Sequence, residues 1–176
     1  MKKQLLKFPL ILFLSIFLVF FYLLIIDRDP SEIQSALLDK SVPKFETESL
    51  FKNENFISSQ EFGNEITLVN FFATWCKPCL DEHVYIKRFS DEKGIKVIGI
   101  NYKDNSKKAI QWLKKLGNPY SNVALDKNGR IAIDWGAYGI PETFVINSKG
   151  IIKYRHVGSV TEKIYEKINL IIDDNK

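Results

Sequence analysis

An apolar segment that runs into a pair of closely spaced cysteines is the feature that most constrains the fold of this chain. Residues 66–72 read Ile-Thr-Leu-Val-Asn-Phe-Phe, and Trp75-Cys76-Lys77-Pro78-Cys79 follows two residues later. A buried strand that leads into a helix at Cys-x-x-Cys places the first sulfur at the helix N-terminus. Free backbone N–H groups and the helix dipole favour a thiolate there, and the second thiol can resolve a mixed disulfide. The pattern therefore predicts thiol–disulfide exchange.

The N-terminal part of the chain has the composition of a membrane anchor. Residues 8–26 carry no charge and are interrupted only by Pro9, Ser15 and Tyr22. As a helix this run spans about 28 Å, close to the ~30 Å hydrocarbon core of a bilayer. Three lysines precede it and Asp27-Arg28-Asp29 follows, which predicts a cytoplasmic N-terminus and an exported remainder. A cleaved signal peptide is the alternative, although the run is long for one and no small-x-small site follows.

The two cysteines are the only ones in the chain. In an exported protein they could form a stabilising cross-link. Closing a loop of about four residues contributes only roughly 2 kcal/mol on the chain-entropy model, against about 4.7 kcal/mol for a hundred-residue loop. Reactivity is therefore the better explanation of this pair.

The remaining pattern predicts one α/β domain at 45–176, joined by a tether at 27–44 to the cytoplasmic tip and anchor at 1–26. The tether contains one candidate helical turn, Asp29-Pro30-Ser31-Glu32. Strands are predicted at 67–72, 96–100, 123–125, 143–146 and 151–157. Helices are predicted at 78–89, from a Ser106 cap to Gly117, at 130–135, and from a Ser159-x-x-Glu162 capping box onward. This order predicts a mixed central sheet flanked by helices.

Bulk charge selects no partner for the folded part. The net charge is +4, but three of the 25 basic residues precede the anchor and the others nearly balance the 21 acidic residues. The sequence contains no basic stripe of the kind that binds nucleic acid. A nucleic-acid partner is therefore not expected.

Four motifs, in this order, resemble one family. They are Ala73-Thr74-Trp75-Cys76-Lys77-Pro78-Cys79, Glu82-His83, Gly99-Ile100-Asn101-Tyr102-Lys103-Asp104 and Trp135-Gly136-Ala137-Tyr138-Gly139-Ile140-Pro141-Glu142-Thr143-Phe144. From about Pro43 onward the chain resembles the thioredoxin-like superfamily. Within it, the chain is similar to the membrane-anchored cytochrome c biogenesis thiol:disulfide interchange proteins of the CcmG/DsbE type. The resemblance implies a thioredoxin-like fold and no bound cofactor beyond the redox-active Cys76–Cys79 disulfide.

The resemblance also assigns roles within the cysteine motif. Cys76 is expected to be the attacking thiolate and Cys79 the resolving thiol. Lys77 either adds a positive charge beside the sulfur or is a solvated side chain without a tuning effect. Pro78 fits the first helical turn, where its missing N–H costs nothing. A proline directly before the second cysteine also resembles the motif of the reducing members of the superfamily. Trp75 is expected to pack beside the motif.

Pro141 aligns with the cis-proline that faces the disulfide in this superfamily. Its expected role is to shape a groove in which a substrate strand lies against the backbone near Ile140. An ordinary trans turn proline is the alternative.

Two acids are implied near the site. Glu82 follows Cys79 by one helical turn, and the resemblance implicates an acid there in proton handling. Glu142 is the second acid that the family places nearby, although either residue could be a surface carboxylate. Asn70 stands where thioredoxin has a buried Asp; an amide cannot take a proton from Cys79, which favours Glu82.

A zinc site is the alternative use of the cysteines, with His83 and His156 as further ligands. Structural zinc sites have closely paired ligands in both halves, whereas these histidines are 73 residues apart. No metal is therefore predicted. Val84 departs from the family, which usually has Pro after Glu-His and a kinked helix.

The sequence thus predicts a thiol reductant, anchored by one span in a bacterial inner membrane, with its domain in the periplasm. By resemblance its client is the haem-attachment cysteine pair of apocytochrome c or a maturation protein that carries it. Electrons would come from a transmembrane thiol donor, and the protein is expected to be a monomer. The alternatives are a general membrane-tethered thioredoxin-like reductase, a dithiol oxidant, and a non-catalytic chaperone that holds apocytochrome.

Overall fold

The computed structural model describes residues 7–25, 36–51 and 56–175. The chain divides into two units, Met1–Pro30 and Ser31–Lys176. The first contains helix α1, Lys7–Ile25. Among the described residues no helix meets the length and hydropathy needed to cross a membrane. The candidate turn at Asp29–Glu32 lies outside the described residues.

The second unit is organised around a five-stranded sheet. Its strands are β3 (Thr67–Phe72), β4 (Lys96–Tyr102), β5 (Asn122–Asp126), β6 (Glu142–Ile146) and β7 (Ile152–Val157). They lie in the order β5-β4-β3-β6-β7. The first three are parallel, while β6 is antiparallel to β3 and β7 to β6. The predicted mixed sheet is confirmed.

The helices of this unit are α2 (Lys77–Asp91), α3 (Ser106–Leu116), α4 (Arg130–Asp134) and α5 (Glu162–Asp174). Two hydrophobic cores lie on opposite faces of the sheet. Leu68 and Phe72 of β3 belong to one core, together with side chains of α2, α3 and α5. Val69 and Phe71 belong to the other, with side chains of α4 and the aromatic ring of Trp135. Because side chains alternate along a strand, Asn70 lies on the face that α2 covers.

A second, small sheet is absent from the sequence prediction. Strand β1 (Glu46–Glu48) pairs with β2 (Phe56–Ser58), and a 3₁₀ turn follows at Ser59–Glu61. Three-residue strands give too short a pattern to be recognised in a sequence. Residues 36–44, in the predicted tether, contact the domain: Asp39 and Val42 donate backbone hydrogen bonds to the carbonyl groups of Ile152 and Gly150.

Two predicted helix caps are wrong. Asn105, not Ser106, caps α3, since its side-chain oxygen accepts the N–H of Lys108. The Ser159-x-x-Glu162 capping box does not form, because α5 begins at Glu162 itself and its N-cap is Thr161, which makes no side-chain cap bond. The Ser159 hydroxyl instead donates to the carbonyl of Pro78 in the first turn of α2. A tertiary contact thus displaces the local one.

Candidate active site

The cysteine pair lies where strand β3 ends and helix α2 begins. Cys76 is the N-cap of α2, and its sulfur accepts the backbone N–H of Cys79 at 3.1 Å. A disulfide joins the two residues. Pro78 occupies the first helical turn, as predicted, where no N–H is required. The arrangement points free N–H groups of the helix at the sulfur of Cys76, which favours its thiolate after reduction.

The residues on either side of Cys76 are an aromatic residue, Trp75, and a charged residue, Lys77. Trp75 is 60% exposed, and its indole N–H donates to the carbonyl of Lys103 at 3.2 Å. Lys77 is exposed and its ammonium group lies 3.0 Å from the carboxylate of Asp81. This contact offsets part of the lysine charge, and a tuning effect of Lys77 on the sulfur stays a prediction.

Glu82 lies buried beneath the pair, on the inner face of α2. One carboxyl oxygen accepts the side-chain amide of Asn70 at 2.8 Å, and the other accepts the backbone N–H of Val160 at 2.9 Å. Burial outweighs these two hydrogen bonds and raises the pKa of Glu82 to about 8. In the disulfide form at neutral pH this carboxyl therefore holds a proton.

Asn70 connects this carboxyl to the rest of the core. Its amide N–H₂ also contacts the hydroxyl of Thr143 at 3.2 Å, and its oxygen accepts the hydroxyl of Tyr120 at 2.8 Å. Burial, and then the nearby charge of Glu82, raise the pKa of Tyr120 well above its usual value. Glu82 is thus the only member of this group that changes charge in the neutral range.

The peptide bond between Ile140 and Pro141 is cis, as the resemblance implies. Ile140 is partly buried and packs against both hydrophobic cores. The role of these two residues in holding a substrate strand stays a prediction.

Glu142 lies on the other face of the sheet from Glu82. It pairs with Phe71 of β3, whereas Thr143 pairs with Asn70, so the pleat directs Glu142 away from α2. Its fully buried carboxylate accepts Arg155 at 2.7 Å and the backbone N–H groups of Tyr138 and Gly139 at 3.1 and 3.3 Å.

Arg155 binds the same loop, residues 136–139, as Glu142. It also donates to the carbonyl of Gly136 at 2.9 Å, and its guanidinium lies 5.0 Å from the ring centre of Tyr138. Glu142 and Arg155 therefore hold the loop that leads into the cis-proline. These contacts favour a positioning role for Glu142.

The two histidines lie apart from each other along the chain and bind backbone carbonyl groups. A ring nitrogen of His83 lies 2.9 Å from the carbonyl oxygen of Gly117, and burial lowers the pKa of His83. A ring nitrogen of His156 lies 3.2 Å from the carbonyl oxygen of Ser159. Within the described ranges, no three His, Cys, Asp or Glu residues form a group that could hold a metal. Helix α2 runs without a break through Val84.

Comparisons with known proteins agree with this site. The redoxin family model matches residues 38–169. The thiol:disulfide interchange protein DsbE of Escherichia coli (strain K12) is 43% identical over 171 residues, covering 95% of this chain and 92% of that protein. DsbE of Haemophilus influenzae is 44% identical over 168 residues, covering 94% and 92%. The chain belongs to the redoxin family and is of the DsbE type. It is a thiol:disulfide oxidoreductase.

Solved structures share the fold of this DsbE-type protein. A DsbF homologue from Corynebacterium diphtheriae has a TM-score of 0.69 at 21% identity, covering 84% of this chain and 96% of that chain. A secreted thiol-disulfide isomerase from Corynebacterium glutamicum has a TM-score of 0.68 at 22% identity, covering 83% and 96%. At these identities the likeness concerns the fold, and it confirms the predicted thioredoxin-like architecture.

Sequence reasoning missed several residues that complete the DsbE-type site. Tyr120 and Val160 bind Asn70 and Glu82, and Arg155 binds Glu142. Each comes from a distant element, and Val160 acts through its backbone. No local sequence signal marks such partners, because only the tertiary fold brings them together.

The raised pKa of Glu82 predicts that stability falls as the pH rises. The folded state keeps the proton up to about pH 8, whereas the unfolded chain releases it near pH 4.5. The stabilisation is therefore complete below pH 4.5 and is lost between pH 4.5 and 8, by up to about 5 kcal/mol. Urea unfolding of the oxidised protein should show this loss of stability, and Glu82→Gln should lack this contribution.

The neighbouring carboxylate provides the matched control. Asp81 is exposed on α2, so Asp81→Asn should keep the wild-type slope. The free energies of unfolding of the wild type and of Glu82→Gln are compared across this pH range. If both changed with pH to the same extent, Glu82 would not hold a proton in the folded state.

Proposed function

We propose that this protein is a membrane-anchored, periplasm-facing reductant that acts in cytochrome c maturation. The observation that carries the proposal is the Cys76–Cys79 pair at the N-terminus of α2, above a buried carboxyl that holds a proton in the disulfide form. The DsbE relatives support thiol–disulfide interchange. The cytochrome c role rests on the four motifs that resemble that family.

In the proposed reaction the Cys76 thiolate attacks a disulfide sulfur in the client, and one client cysteine leaves as a thiolate. The resulting mixed disulfide joins Cys76 to the other client sulfur. The Cys79 thiol then loses its proton and attacks the Cys76 sulfur. This forms the internal disulfide and releases the second client thiolate. The client gains two electrons, and the dithiol is oxidised.

Glu82 is proposed to accept the proton that Cys79 must lose. The carboxyl lies one helical turn beyond Cys79, and the disulfide state is the product of the resolving step. A carboxyl that holds its proton in that state is consistent with having just received it. When a donor reduces the disulfide again, the same proton can return to the Cys79 thiolate. No bound cofactor is proposed for this cycle.

The proposed client is the haem-attachment cysteine pair of apocytochrome c, or a maturation protein that carries it. A client strand would lie against the backbone near Ile140 and Pro141. Trp75, which precedes Cys76, and Tyr138, two residues before Ile140, are both exposed. The proposed electron donor is a transmembrane thiol carrier, which suits a reductant fixed at the membrane. We propose that the protein acts as a monomer and binds no nucleic acid.

The alternatives make different use of the same pair. A general membrane-tethered reductase would keep the chemistry with other clients. A dithiol oxidant would have a reduction potential of about −120 mV, whereas a thioredoxin-like reductant has one of about −270 mV. A chaperone that only holds apocytochrome would not need Cys76 at all.

Replacing Cys79 with Ser in cells should trap the client on Cys76, because the resolving thiol is gone. Mass spectrometry of the trapped complex should identify apocytochrome c or a cytochrome c maturation protein. Cys76→Ser should trap nothing and should abolish maturation, since it removes the attacking sulfur. Recovery of only unrelated secreted proteins would agree with oxidoreductase activity but would contradict the proposed role in cytochrome c maturation. Normal cytochrome c maturation in Cys76→Ser would favour the chaperone.

The anchor is proposed from the sequence, because the uncharged run extends over residues 8–26 behind three lysines. The protein should therefore stay in the membrane pellet after alkaline carbonate washing. Replacing Leu14 and Leu18 by Lys should release it, since each lysine at the centre of a span costs about 2.5–3.5 kcal/mol. The control replaces Lys2 and Lys3 by Gln, which leaves the apolar run intact. Release of the wild-type protein by carbonate would contradict the anchor.

A further inference from the structure

The turn that delivers Cys76 to the start of α2 is held from the neighbouring strand end. The N–H of Cys76 donates to the carbonyl of Ala73 at 3.2 Å, which closes a turn with Thr74 and Trp75 at its centre. Both central residues bind consecutive residues beyond β4. Thr74 binds Asp104, and the indole of Trp75 binds the carbonyl of Lys103.

The Asp104 carboxylate accepts four hydrogen bonds. Thr74 donates its backbone N–H at 2.7 Å and its hydroxyl at 2.8 Å. The side-chain amide of Asn101 donates at 3.0 Å, and the N–H of Asn105 donates at 2.7 Å. Asp104 therefore ties the turn before Cys76 to the end of β4 and to the N-cap of α3.

The backbone beside Asp104 has an unfavourable conformation. Lys103 has a φ of +43°, in the left-handed region that residues with a side chain rarely adopt. Such conformations persist only where surrounding contacts enforce them. The hydrogen bonds from Trp75 and Thr74 to this segment are contacts of that kind. The contacts between Lys103–Asp104 and the Thr74–Trp75 turn therefore hold both segments in place.

We infer that Asp104 is a positioning residue for thiol–disulfide exchange, which fixes the Thr74–Trp75 turn so that the Cys76 sulfur stays over the N-terminus of α2. The sulfur then keeps the N–H of Cys79 as a donor, which stabilises its thiolate. A nearby negative charge alone has the opposite effect, since it opposes formation of a second anion. Position and charge therefore predict shifts of opposite sign.

The test uses the reduced full-length protein in detergent with Cys79→Ser as background, so that Cys76 is the only thiol. The rate of its alkylation by iodoacetamide is measured against pH. Asp104→Asn is expected to move the pH midpoint upward and to slow the reaction at pH 7 by about tenfold, since charge-assisted hydrogen bonds are lost. A midpoint that moves downward would show that the carboxylate acts by charge, and would overturn the inference.

A second variant tests the same contact from the other side, with little risk to folding. Thr74→Val removes the hydroxyl but keeps the shape, and it should shift the midpoint in the same direction as Asp104→Asn. Thr74→Ser keeps the hydroxyl and should restore the wild-type midpoint. Wild-type behaviour of Thr74→Val would overturn the inference.

Asp126 provides the matched control for loss of stability. It is a buried carboxylate at the end of the next strand, and it accepts the N–H groups of Ile131 and Ala132 at the start of α4. Asp126→Asn should lower the urea midpoint but leave Cys76 alkylation unchanged. If Asp126→Asn shifted alkylation as much as Asp104→Asn, Asp104 would be a structural residue only.

Discussion

The buried hydrogen bond between Asn70 and Glu82 is the contact on which the rest of the site depends. It joins the central strand to the helix that carries both cysteines, at 2.8 Å. The second oxygen of Glu82 binds Val160, so the same carboxyl also secures the loop that precedes the last helix. A charged carboxylate in this place would be costly, because two hydrogen bonds replace only part of its hydration. The carboxyl of Glu82 therefore links the packing of three elements.

The two buried glutamates, Glu82 and Glu142, lie on opposite faces of the sheet and have different partners. Glu82 lies on the face covered by α2, with polar partners that carry no charge. Glu142 lies on the opposite face with a cation, Arg155, 2.7 Å away. Arg155 and two backbone N–H groups bind this carboxyl, which suits a structural role in holding the loop before Pro141. The partners of Glu82 are neutral, whereas Glu142 binds a cation and holds the backbone of a loop.

Local sequence patterns predicted the parts of the fold that local forces determine. The strand 67–72 is confirmed to the residue, because six buried residues lie between clear turn signals. The start of α2 follows equally directly from the cysteines and Pro78. The caps at Ser106 and Ser159 were wrong, because neighbouring or tertiary partners displaced the local ones.

The chemistry of the site was predictable only in part. The resemblance, together with Asn70 in place of a buried Asp, singled out Glu82 for proton handling, and that role stays a prediction. The separation of Glu82 from Glu142 follows from the pairing register of β3 with β6, which no single strand sequence specifies. The link from Asp104 to Thr74 spans 30 residues, and it exists only because two parallel strands end side by side.

In the disulfide form, Glu82 is expected to hold a proton at neutral pH. Carbon-13 NMR of the oxidised full-length protein with labelled glutamate carboxyl groups tests it most directly, with Glu82→Gln used to assign the signal. The structure predicts a titration midpoint near pH 8 for Glu82. A midpoint near pH 4.5, the ordinary value for a glutamate, would show that the buried carboxyl is charged at neutral pH and that Glu82 holds no proton in the disulfide form.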